Sequence, residues 1–143
     1  MKKLSHMLMM ISLVTLCASA AAAQTSGPQR VVAQVPFAFS AGRTLLPAGK
    51  YTISVVNPSS DRTVLQIRSV DGRASAMILT NTVSGSPADN AKLVFERYDN
   101  LYIFTTAQMA GASTSFSALH SKAEHKQMVA MAAKKRVVVI TIG

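Results

Sequence analysis

VVAQVPFAFSAGRTLLPAGKYTISVV, residues 31–56, decides the fold. Val31, Ala33, Val35, Phe37 and Phe39 recur at every second position, and so do Tyr51, Ile53 and Val55. A period of two puts one set of side chains on one face of a sheet. Gly42, Pro47 and Gly49 lie between the two runs, and such residues stop strands and shape turns. The stretch therefore predicts strands over 30–39 and 50–56, joined by a long bent connection over 40–49. Pro36 marks the first strand as an edge strand or a bulged one, because proline donates no hydrogen bond to a ladder.

The same pattern continues outward. A turn is expected over 57–61 and a strand over 63–70. Asp71-Gly72 then suits a type I′ hairpin, whose positive backbone angles Asp and Gly tolerate. Strands follow over 73–83 and, after a polar loop, over 91–97. Asp99-Asn100 forms a second tight turn before a strand over 101–108. That strand is apolar on both faces (Leu101 and Ile103, Tyr102 and Phe104), so it belongs at the centre of the sheet or beneath another element. Ser121-Lys122-Ala123-Glu124 fits a capping box and opens a helix over 122–135, with Met128, Met131 and Ala132 turned inward. A last strand over 136–142 returns to the sheet. The expected fold is mainly β: an antiparallel sandwich or small barrel of about seven strands, with one C-terminal helix before the last strand. It forms a single domain over 30–143.

The first residues read as an address. Lys2 and Lys3 precede the uncharged run MLMMISLVTL, and small residues follow at the spacing a signal peptidase reads. This predicts a secretory signal peptide over 1–23, cleaved after Ala23 in preference to Ala20, then a polar lead-in over 24–29. The apolar run is about half the roughly twenty residues a spanning helix needs, and nothing after it resembles a membrane segment. Leu16 argues against a lipoprotein leader at Cys17. Cys17 is the single cysteine of the 143-residue chain, so the mature protein would carry no disulfide and no thiolate site.

Lys and Arg number 15 against 6 Asp and Glu. Without Lys2 and Lys3 the excess is still a formal +7, which favours anionic partners such as envelope phosphates, acidic polysaccharide or lipid head groups. Arg68, Arg73, Arg97, Lys134, Lys135 and Arg136 are the candidate anion contacts. Nucleic-acid binders interleave such charges with exposed aromatics. Here Phe37, Phe39, Phe95 and Phe104 fit the core, and export makes nucleic acid an unsuitable partner.

The chemistry of a reaction is sparse. Catalysis by acid, base and nucleophile needs three groups that orient one another, whereas Asp61, Asp71, Asp89 and Asp99 fall in turns or loops. His120, Glu124 and His125 are the nearest approach to a metal set. Three neighbours from one turn are too few for a closed zinc site, so an exposed polar helix start is the better reading. Met109, Met128 and Met131 suit core packing more than copper(I). No cofactor is expected, because no glycine-rich loop precedes a helix to cradle a phosphate.

Val35-Pro36-Phe37, Phe39, Leu46-Pro47-Ala48-Gly49, Tyr51 and Asp71-Gly72 together resemble a family of small exported β-rich proteins of environmental bacteria. These share a VPF-x-F strand, an LPAG-x-Y element and an Asp-Gly hairpin. The resemblance covers most of the mature chain. It implies a β-rich fold and export, and it carries no catalytic residue. The expected role is therefore non-enzymatic: a periplasmic or extracellular β-domain, binding or structural, whose partner is an anionic envelope component or another protein. The alternatives are a small outer-membrane β-barrel and an uncharacterised hydrolase.

Overall fold

The chain's alternating segments pair into one mixed sheet in the computed structural model, which describes residues 29–58, 60 and 62–143. The expected signal peptide, the lead-in up to Pro28, and Asp61 lie outside the described residues. Ten strands form: β1 (Arg30–Val35), β2 (Phe39–Ala41), β3 (Thr44–Leu46), β4 (Gly49–Val55), β5 (Thr63–Ser69), β6 (Ser75–Ser84), β7 (Ala91–Tyr98), β8 (Leu101–Gln108), β9 (Thr114–Ala118) and β10 (Lys135–Ile142). Helix α1 (Lys122–Ala130) and a 3-10 turn (Ala132–Lys134) precede β10.

The order runs β1-β4-β5-β6-β9-β8 through antiparallel ladders. β8 is the hub. β7 pairs along its whole length, while its other edge meets β9 near Thr106–Gln108 and β2, in parallel, at Ile103. β10 lies beyond β7. The two ends of the path, β1 and β10, come near one another without a ladder between them. The sheet is therefore curled but open, which agrees with the expected mainly β class and its C-terminal helix before the last strand.

The period-two residues fill the interior as the sequence predicts. Ala33, Val35, Phe39, Tyr51, Ile53, Leu65, Ile67, Ile78, Leu93, Phe95 and Phe104 are all buried. Phe95 is the centre of an aromatic cluster. Its ring meets those of Phe37, Phe39 and Phe104 edge-on, with centroids 5.1, 5.3 and 5.7 Å away. Edge-to-face contacts of this kind align the positive ring edge with a negative face.

Several boundaries differ from the sequence reading. The first strand splits at Pro36, and β2 and β3 make a small hairpin inside the expected 40–49 connection, turning at Gly42 (φ 61°). The edge position expected for the first strand is correct, since among the described residues β1 pairs with β4 alone. Asp71-Gly72 is not a two-residue turn. Residues 70–74 make a longer loop in which only Gly72 has positive φ, while the Asp71 carboxylate accepts from Ser69 Oγ at 2.6 Å and from the Arg73 amide at 3.0 Å. β9 lies outside the sequence reading, because serines fill its outward positions (Ser115 and Ser117) and Phe116 and Ala118 are its two buried residues.

The helix is the largest correction. Its capping box is present, but it ends at Ala130 and buries no residue. Met128 and Met131 are only half-buried and Ala132 is exposed. The chain leaves the helix early because Lys135 onward hydrogen-bonds to the free edge of β7, with Lys135 opposite Tyr98. β8 lies at the centre of the sheet, one of the two positions its apolar faces imply, and the Phe37 ring stacks on its Tyr102 at 3.9 Å.

Candidate anion-contact site

The β7–β10 register brings four of the six expected cations together. It sets Arg136 directly opposite Arg97 and Lys135 opposite Tyr98. The 3-10 turn delivers Lys134 to the same place. With Asp99 and Ala133, these residues line a depression of about 390 Å³. The two-residue turn beneath it is held by Asp99, which has φ 52°. Asp accepts that left-handed conformation more readily than most residues.

Two of the four cations are neutralised locally. Lys134 Nζ donates to Asp99 Oδ2 at 2.8 Å, and Lys135 pairs with Glu96. The Asp99 carboxylate keeps Lys134 protonated above the usual lysine range. Burial works against the charge of Glu96, but hydrogen bonds from Lys135 and Tyr98, with the charges of Lys135 and His120, hold its carboxyl below the ordinary value. Tyr98, itself buried, donates to Glu96 Oε2 at 2.6 Å. Burial first, and then that carboxylate, push its phenol up to about 12.

The arginines are different. Neither Arg97 nor Arg136 forms an ion pair with an acid among the described residues. Arg97 Nε donates to the Asp99 carbonyl at 2.7 Å, and its guanidinium lies 5.4 Å from the Tyr102 ring centroid. Like charges directly opposite on neighbouring strands destabilise a sheet. The ring and the carbonyl offset part of that repulsion on Arg97.

Arg68 and Arg73 stand apart. Arg68 lines a polar depression with Arg30, Thr52, Ser54 and Gln66, and Arg73 borders another between the Pro47–Tyr51 turn and the 70–74 loop. Arg73 also faces Asp71 at 3.9 Å. The six expected contacts are thus not one patch.

No family model, curated protein or solved structure matches this chain.

His120, Glu124 and His125 do not converge as ligands. Glu124 Oε2 is occupied in the capping box, accepting the Ser121 amide at 2.7 Å. Among the described residues, no three His, Cys, Asp or Glu side chains gather as a metal set. His120 and His125 line a shallow depression with Lys122, Lys126 and Val129, and no carboxylate borders it. His120 Nδ1 is buried without a partner. Met109 is core, as its sequence context implies, while Met128 and Met131 are not. What the sequence could not reveal is the Arg97–Arg136 opposition, because 38 intervening residues separate the two and only the ladder register joins them.

Proposed function

We propose that this chain is an exported, non-enzymatic β-domain of the cell envelope that contacts anionic material through the Arg97–Arg136 end of the sheet. One observation carries the reading: two arginines without ion-pair partners are direct cross-strand neighbours at a depression. An arrangement that weakens the sheet is reasonable where an external anion compensates it. Signal-like residues at 1–23 support export. The resemblance to small exported β-rich proteins supports the same assignment.

A non-catalytic role is supported by where the polar groups go. Asp71 and Glu124 hold a loop and a cap, and Glu96 and Asp99 neutralise lysines. The membrane-barrel alternative has less support, since the interior positions are packed with apolar side chains rather than lining a polar lumen.

Binding to vesicles containing anionic lipid, and in a second arm to an acidic polysaccharide, tests the reading. A basic residue near an anionic surface contributes about 1 kcal/mol, so the Arg97→Gln/Arg136→Gln pair is expected to weaken binding about thirtyfold. Arg68→Gln/Arg73→Gln should change it much less. Equal loss from both pairs, or no binding in either arm, would overturn it.

A further inference from the structure

Among the described residues three strands pair on one side alone, and they are not alike. β3 is three residues long. β1 ends against Pro36 and exposes Arg30 and Gln34. Short length, proline and charge are the devices by which edges avoid pairing with other chains. β10 has none of them after Arg136. It runs eight residues, KRVVVITI, in unbroken register with β7. Its outward face carries Val137, Val139 and Thr141, and the two valines are 60% and 50% exposed. Val138, Ile140 and Ile142 on the other face are half-buried against the core. β1 draws near, but no ladder links the two, so the outer row of N–H and C=O groups on β10 has no strand partner among the described residues. Such a row accepts an extended backbone.

We propose that the occupant is a second copy: β10 pairs antiparallel with β10 about a twofold axis at Val139. Charge selects this arrangement. All the charge on β10 sits at one end, on Lys135 and Arg136. A parallel joint would set these cations side by side, which is unfavourable. An antiparallel joint centred on Val139 places Arg136 opposite Ile142 and carries the two basic ends apart by about 25 Å, from the rise per strand residue. The outward row is self-complementary in that register. Val139 meets Val139, and Val137 meets Thr141, so every pair is β-branched and suits a pleated surface. A twofold joint also closes on itself and leaves no open end for further copies. The basic depression of each copy then lies at an outer end of the joined strands.

Light scattering of the wild-type protein over a concentration series tests this directly, and a closed dimer is the expected species. Val139→Lys and Val139→Glu each oppose like charges at the axis and should give monomers. Mixing the two variants should restore the dimer, which a folding defect in either would not do. In the wild type, hydrogen exchange of β10 amides should slow as protein concentration rises. A monomer at every concentration, a dimer that survives both substitutions, or open-ended assemblies would overturn the proposal.

Discussion

At the residue scale, the informative side chains are those whose polar atoms are tied down. Tyr98 is the sharpest case. Its phenol is neutral in the fold and pushed up to about 12, from an ordinary value of 10.0. A raised value means that the folded state keeps the proton longer than the unfolded chain does. The stabilisation is therefore complete below pH 10 and is lost as pH rises from there toward 12. An ultraviolet titration should show one of the three tyrosines ionising near 12. Burial is the larger cause and Glu96 the smaller, so Glu96→Gln should lower that midpoint only in part. Tyr51 makes a different point. Its hydroxyl donates to the Pro47 carbonyl, and the ring is buried beside Phe39 at 5.3 Å. This explains why Pro47 and Tyr51 belong together in the LPAG-x-Y element: the tyrosine closes the turn that the proline begins. The pairing was legible as a motif, but its purpose was not, because a motif does not say which atoms meet. Tyr51→Phe removes one hydrogen bond and leaves the ring, so urea unfolding should register a loss of about 1 kcal/mol.

Elements were legible in proportion to how strongly local pattern matches final burial. β4, β5 and β7 alternate cleanly, β8 is marked by its apolar and aromatic run on both faces, and all four appeared within a residue or two of their expected bounds. β2, β3 and β9 did not, because three to five residues hold too few alternations to stand out from a loop. Their strand character comes from neighbours in the sheet. The helix shows the opposite failure. Its start is written locally in Ser121 and Glu124, but methionine spacing implies an inner face that tertiary pairing of β10 to β7 overrides. The cap itself is open to test. Burial disfavours the Glu124 charge, yet the amide and hydroxyl of Ser121, with the charges of His120 and Arg43, hold its carboxyl below 4.5. A lowered carboxyl contributes stability above the unfolded value and loses it as pH falls through the folded one. Helical signal from α1 should therefore fade only as pH falls below 4.5, and Ser121→Ala, which removes a cap worth about 1 kcal/mol, should move that fading to higher pH. Circular dichroism followed against pH in both proteins would decide, and an unchanged profile in Ser121→Ala would dismiss the cap as its source.

For the whole molecule, stability is concentrated in the sheet and its interior, and the late helix lies outside that account. Three aromatic rings meet Phe95, and its own exposure is 0%. Truncating a buried phenylalanine removes its transfer free energy and leaves a cavity that rigid neighbours cannot fill, at about 3 to 5 kcal/mol. That is a large share of the stability of an ordinary domain, on the order of 5 to 15 kcal/mol. Phe95→Ala should thus lower the stability of the sheet as a unit by about 3 to 5 kcal/mol and leave it folded but easier to open. Val129, 61% exposed on α1, stands at the other extreme, and Val129→Ala should fall within about 0.5 kcal/mol of the wild type. Hydrogen exchange separates the two classes without relying on either number. An element with no buried residue opens locally at far lower cost than core strands do. Amides of α1 should exchange first and at a rate indifferent to Phe95→Ala, while those of β4, β5 and β8 should exchange last and accelerate sharply in that variant. If α1 were instead protected as strongly as β8, the helix would have to be packed against something, and the sheet would no longer account for the stability of the fold by itself.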